Sequence, residues 1–279
     1  MSILIAVIFG AVQGFTEFLP LSSSAHLSVL SNLFGISSSG FNMNAFSVFV
    51  HFGTILAVVI LYFADFGEIL FQTLEFLSGA TPTAPVKGGT RFPSVRLLML
   101  MLCSILPLFL VLPFNKYLTS LNENTIFIGV MLIASGGILE AAEHLMEGKK
   151  TEKSMTLPDA VIFGLCQFVS AIPGISRTGT GLTAGLALGL KKEFAMKFTL
   201  MLSVPVMLGA ELIRLVQAMQ SSFALSDVPP CLCGMAASLL AGIGAIKLLG
   251  FFVDRGKYHG FAYYCFVAGV LSIILTMIF

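Results

Sequence analysis

"GAVQGFTEFLPLSSSAHLSVLSNLFG" (residues 10–35) and "GLCQFVSAIPGISRTGTGLTAGLALG" (residues 164–189) are built on one plan. Each opens Gly-x-x-Gln, reaches a proline (Pro20, Pro173) and passes through a hydroxyl-rich turn into an apolar half-helix. The apolar pieces beside the prolines are 3–19 with 22–34 and 158–172 with 178–190. Each is shorter than the roughly 20 residues that cross a hydrocarbon core of about 30 Å. Proline removes a backbone donor and disfavours helix in the residue before it. A proline-broken pair of half-length helices reads as a re-entrant hairpin, entering a membrane and leaving on the same side.

The rest of the 279-residue chain agrees with a membrane setting. It is 57% hydrophobic and 10% charged, with a mean hydropathy of +0.97, where soluble domains carry about 25% charged residues. Fifteen Lys and Arg against fourteen Asp and Glu give no basic surface for nucleic acid, and no nucleic-acid partner is expected. Met1 to Phe15 lacks the basic leader and small-residue cleavage site of a secretory signal and is expected to stay in the mature protein. The five cysteines read as small apolar fillers. With 26 Phe and no Trp, the lipid-facing surface is expected to be rich in phenylalanine.

Six stretches are long enough to span, near 43–63, 96–114, 125–143, 198–218, 231–250 and 261–279. The fold class is therefore an all-α polytopic membrane protein with six transmembrane helices and two re-entrant helix pairs. Each half runs re-entrant pair, then three crossings, which is an internal repeat over about 1–146 and about 156–279 within a single membrane domain. Three crossings end on the far side, so the second half enters inverted and the two broken tips are expected to face each other near the midplane. With this topology twelve of the fifteen basic residues, Lys87, Arg91 and Arg96 among them, fall on one side. Lys116 and Arg214 fall on the other, and Arg177 sits in the second tip. The positive-inside rule makes the rich side cytoplasmic and places both termini outside the cell (inner, cytoplasmic) membrane.

Arg177 is the hardest residue to place in a bilayer, because a cation there costs roughly 2.5–3.5 kcal/mol without an anion or a wet cavity. It reads either as a structural partner of Glu17 or as a guanidinium clamp for a phosphate. Ser22, Ser23 and Ser24, and Ser176 with Thr178, stand at the starts of half-helices, where they cap and where exposed N–H groups bind anions. Gly174 would let a ligand approach the backbone closely. Gln13 and Glu17 share a helix face, and Ser22 and Ser23 lie within one turn of His26. His51 is a further candidate for lining the cavity. An arginine, two helix starts, a serine, a histidine and a carboxylate together suit phosphoryl transfer. At bilayer depth the substrate must carry a lipid tail, so these residues point to an enzyme or a carrier for a lipid phosphate.

"QGFTEFLPLSSSAH" resembles an (E/Q)-x-x-x-E region followed by P-x-S-S-x-x-H, and "PGISRTGTG" resembles P-G-x-S-R-S-x-x-T. Together with "HFGTILAVV" and "LSVPVMLGA" they resemble the undecaprenyl-pyrophosphate phosphatase family of the bacitracin-resistance type over nearly the whole chain. The resemblance implies removal of the terminal phosphate of a C55 polyprenyl pyrophosphate, leaving the monophosphate that carries cell-wall precursors. The implied site is Gln13, Glu17, Ser23, His26, Ser176 and Arg177. Ser23 is then the candidate nucleophile, with direct attack by water as the alternative, and His26 the proton shuttle. Glu17 and Gln13 orient His26 or bind a divalent ion, Mg²⁺ or Ca²⁺, on which the family depends. Thr178 and Ala25 stand where the family has Ser and Gly, and Gly181 falls where its motif ends in Thr. The rival reading is a non-catalytic carrier that flips polyprenyl phosphate, since broken helices in repeats also build transporters. A homodimer is one expected assembly.

Overall fold

Pro20 and Pro173 break the chain where the sequence places them. We describe a computed structural model covering residues 1–34, 42–79, 92–121, 124–146, 148–219 and 224–278; Lys87 and Arg91 of the charge count lie outside the described residues. The order is α1 (Ile3–Phe18), α2 (Ser23–Leu33), α3 (Met43–Leu61), α4 (Phe63–Leu77), α5 (Pro93–Ile105), a 3₁₀ segment (Leu106–Phe114) and α6 (Asn115–Leu121). It continues through α7 (Thr125–Glu143), α8 (Leu157–Val169), α9 (Arg177–Ala187), α10 (Lys192–Met219), a 3₁₀ turn (Leu225–Asp227), α11 (Val228–Arg255) and α12 (His259–Ile278).

Six stretches are long and apolar enough to cross a membrane: Met43–Leu61, Pro93–Phe114, Thr125–Glu143, Lys192–Val216, Leu225–Arg255 and His259–Ile278. The 16 residues of α1 reach only about 24 Å and the 11 of α9 about 16 Å. Hydropathy misplaced some ends. Helix α10 starts at Lys192, earlier than its apolar run, because hydrogen bonding continues through a polar first turn. Helix α11 opens with prolines in its first turn, where a missing N–H costs nothing. Helix α4 was not expected; it buries only Ile69. Pro107 and Pro113 lie where α5 gives way to 3₁₀ geometry.

The halves pack by exchange. Helix α1 lies against α11 and α8 against α5, while α7 pairs with α12 and α3 with α10. Matching glycines allow the first two contacts. A Cβ on Gly10 would sit 2.1 Å from the Gly234 carbonyl oxygen, and one on Gly164 2.2 Å from that of Ser104. Gly164→Ala is therefore expected to lower the thermal midpoint, at a cost of about 1–3 kcal/mol for overpacking against backbone. Gly244→Ala, where a Cβ meets nothing within 4 Å, should leave it unchanged; equal melting of the two variants would refute the contact.

Edge-on phenylalanine pairs recur in the two halves, Phe9 with Phe46 at 6.3 Å and Phe163 with Phe198 at 5.0 Å between ring centroids. These rings, with Phe18, are the largest fully buried side chains. Leucine supplies more of the exposed large apolar side chains than phenylalanine does. Phenylalanine thus serves both places: Phe63 and Phe71 are among those exposed, while the buried rings fill space between kinked elements.

Basic residues gather at one end. Arg96 donates to the Glu152 and Met155 carbonyls, Lys150 pairs with Asp159 at 2.9 Å, and Lys192 reaches the Asp254 carbonyl at 2.6 Å. Lys197 pairs with Asp65 there.

Candidate active site

Each broken tip contains a residue in the left-handed region, Ser22 at φ 66° and Gly174 at φ 96°. For serine this is an uncommon, strained conformation, and such strain clusters at functional turns. It turns the chain from α1 into α2. At the second tip a Cβ on Gly174 would lie 2.6 Å from Met131 Cβ and 2.8 Å from the Ile128 carbonyl oxygen. Glycine there serves the turn and its seat on α7, not close approach by a ligand. Ser176 caps α9 by accepting the Gly179 N–H at 3.2 Å, and its own N–H donates to Ser135 Oγ at 3.0 Å.

The tips meet. Thr178 Oγ1 donates to the Glu17 carbonyl oxygen at 3.1 Å, and Arg177 Nη1 stands 3.5 Å from Glu17 Oε1. Ser23 Oγ donates to Glu17 Oε2 at 2.7 Å, and Gln13 Nε2 donates to the same oxygen at 2.9 Å. The Glu17 side chain is 7% exposed and that of Arg177 33%. Arg177 Nη1 is buried without a hydrogen-bond partner among the described residues. A buried donor without a hydrogen bond is costly, and among the described residues the Glu17 carboxylate at 3.5 Å is its ion-pair partner, which leaves the rest of the guanidinium for a ligand in the cavity.

Around these groups lies a polar cavity of about 230 Å³. The first tip lines it with Gln13, Glu17 and Ser22 to Ser24; the second supplies Ser176 and Arg177. Ser47 and His51 of α3 and Arg214 of α10 complete the wall. Thr178, Gly174 and His26 do not line it. The His26 ring nitrogens are engaged elsewhere: Nδ1 donates to the Ser22 carbonyl at 2.8 Å and Nε2 accepts from the Tyr264 hydroxyl at 2.6 Å. The serine hydroxyl therefore meets Glu17 rather than the imidazole. Ser23 and His26 both lie in α2, but Ser23 Oγ turns to Glu17 of α1 while the imidazole turns to the Ser22 carbonyl and Tyr264 of α12.

A second, apolar cavity of about 430 Å³ adjoins the first. It shares Ser170, Ala171 and Arg177 with the polar one. Leu108, Phe109 and Leu112 of the 3₁₀ segment and Pro205, Val206 and Ile213 of α10 supply apolar wall. The sequence reading missed Ser47, Glu211 and Arg214. A Glu-x-x-Arg pair inside the apolar run of α10 was the available signal, but its position near a span end assigned Arg214 to the surface.

Mg²⁺ and Ca²⁺ take oxygen ligands. Among the described residues no group of three His, Cys, Asp or Glu could hold a metal. The buried Gln13 Oε1, however, has no hydrogen-bond partner there and belongs to the side chain bonded to Glu17. This donor pair fits an ion completed by phosphate oxygens, the usual arrangement for Mg²⁺ at phosphate sites.

The family model described as "Bacitracin resistance protein BacA" matches residues 6–271. An undecaprenyl-diphosphatase of Methanosphaera stadtmanae is 31% identical over 281 residues, covering 100% of this chain and 99% of that protein. One of Halothermothrix orenii is 33% identical, covering 100% of both chains. Undecaprenyl-diphosphatase 1 of Shouchella clausii is 36% identical over 98% of this chain and 96% of its own.

Proposed function

The chain belongs to the bacitracin resistance protein BacA family, and we infer that it is a membrane phosphatase hydrolysing undecaprenyl pyrophosphate to the monophosphate and inorganic phosphate. One observation carries the assignment of the site. The polar cavity holding Arg177 and the Ser23–Glu17 hydrogen bond shares a wall with a larger apolar cavity, matching a charged headgroup on an isoprenoid chain.

Arg177 holds the terminal phosphoryl group through the exposed part of its guanidinium, with Ser176 and the first-turn amides of α9 beside it. Ser23 Oγ attacks phosphorus and passes its proton to Glu17 Oε2, 2.7 Å away. The bond to the bridging oxygen breaks, and the lipid monophosphate leaves as an oxyanion with the bonding electrons. Glu17 gives the serine proton to the departing monophosphate, then takes one from the water that attacks the phosphoserine and returns it to Ser23 Oγ as phosphate leaves. If water attacks directly, Glu17 takes its proton and Ser23 orients it. A divalent ion bound by Gln13 Oε1 and Glu17 would neutralise phosphate charge. His26 holds the Ser22 carbonyl and so positions Ser23, which transfers the proton-shuttle role from His26 to Glu17. A carrier would need no hydroxyl–carboxylate pair at the phosphate.

We further propose that the two halves lie inverted in the cytoplasmic membrane with both termini outside, a reading supported by the uneven distribution of basic residues. Arg214 lies 22 residues along α10 from the basic end at Lys192, roughly 33 Å of helix, so the cavity opens to the outer face. A homodimer is carried by the same reading, and crosslinking in native membranes reads it directly. The test of function is phosphate release from undecaprenyl pyrophosphate by the purified protein with Mg²⁺ or Ca²⁺. Turnover that yields the monophosphate supports it; tight lipid binding with no release under either ion favours the carrier.

A further inference from the structure

We propose that Arg214 is a second phosphate-binding guanidinium, and that it makes the cavity prefer a diphosphate headgroup over a monophosphate. This rests on the phosphatase reading of the same cavity. Arg214 comes from α10, whereas Arg177 starts α9, and both line one polar chamber. Its Nη1 donates to Glu211 Oε1 at 2.8 Å and to Ser47 Oγ at 2.9 Å. Both of these contacts use Nη1 alone. A guanidinium has five N–H donors in a planar fork, so Nε and Nη2 remain for a ligand on the cavity side, where the side chain is 41% exposed.

A plain structural pair accounts less well for the arrangement. Glu211 is buried, its Oε2 has no hydrogen-bond partner among the described residues, and His51 Nδ1 stands 3.5 Å from its Oε1. Burying a carboxylate so incompletely satisfied is costly. Here it holds the arginine fork against Ser47 and aims it across the chamber. Each guanidinium has one carboxylate neighbour, Arg177 with Glu17 and Arg214 with Glu211. The substrate brings two phosphoryl groups and the lipid product one, so the substrate can occupy both forks and the product a single one. Arg214 thereby favours exchange of product for substrate without touching the phosphorus that is attacked.

The experiment uses the full chain in detergent and isothermal titration with methylenediphosphonate, which is not hydrolysed, and with orthophosphate. The wild type should bind the diphosphonate at least about tenfold more tightly, since two charge-assisted contacts replace one. Arg214→Met should reduce that ratio to about threefold or less and raise KM for undecaprenyl pyrophosphate about tenfold, with kcat within threefold. Arg214→Lys should recover part of the ratio. Glu211→Gln, which weakens the hold that aims the fork, should narrow it. A merely structural pair would lower stability in both variants and move the ratio in neither. An unchanged ratio in Arg214→Met at wild-type thermal midpoint overturns the proposal. If that variant fails to fold, Glu211→Gln decides, and a ratio that does not fall overturns it. A wild type that shows the Arg214-dependent preference but releases no phosphate refutes the phosphatase reading and leaves the second fork standing.

Discussion

Arg177→Ala is expected to lower kcat/KM for undecaprenyl pyrophosphate by about 10³-fold or more. Arginines that stabilise a transferring phosphoryl group contribute about 10³–10⁵ in rate, and donors aimed at developing charge about 10²–10³. Arg177 combines a planar fork, a buried Nη1 without a hydrogen-bond partner among the described residues and a place at the start of α9. Lysine at 177 should recover little, because a point charge cannot make two parallel contacts to phosphate oxygens. Folding should survive the change. Glu17 keeps its hydrogen bonds from Ser23 and Gln13, and Arg177 approaches it only at 3.5 Å. Single-turnover phosphate release, with the thermal midpoint measured beside it, separates chemistry from stability. A folded Arg177→Ala protein with near-normal turnover would remove the clamp from the mechanism.

Ser23→Ala is expected to reduce kcat by about 10²–10⁴-fold, the range for losing a positioned proton-transfer partner. The alanine leaves Glu17 Oε2 with the Gln13 amide alone and removes a cavity-lining hydroxyl that is hydrogen-bonded to the carboxylate. Ser22→Ala is the control, since its hydroxyl pairs with Ser24 Oγ at 3.3 Å and not with Glu17. Rapid acid quenching of the wild type with label in the terminal phosphate adds a direct readout. Label retained on a peptide containing Ser23 supports the covalent route. Absence of label together with substantial Ser23→Ala turnover assigns the attack to water.

Much of the site was legible before any tertiary contact was considered. Gln13 and Glu17 are four residues apart on α1, and helix geometry alone puts them on one face; their hydrogen bond follows. Ser176 ahead of Arg177 is an N-cap by residue type, and it caps. His26 was misjudged because its partner Tyr264 lies 238 residues away on α12 and Ser23 is taken by Glu17 of α1, contacts that spacing within one turn does not signal. Gly174 was misjudged for a related reason. Glycine marks either a ligand approach or a helix contact, and only the position of Met131 and Ile128 separates them.

The sequence by itself determined where the two hairpins break and which of their helices are too short to span. Those features come from proline's missing donor, capping hydroxyls and the length of apolar runs, all set within a few residues along the chain. Only the tertiary structure decided that Ser23 answers to Glu17, that Tyr264 occupies His26, and that Arg214 faces the chamber of Arg177. These depend on the rotation of each helix about its own axis. That rotation is fixed by glycine-to-backbone contacts between segments 60 or more residues apart, Gly164 with Ser104 and Gly10 with Gly234, which no local spacing encodes.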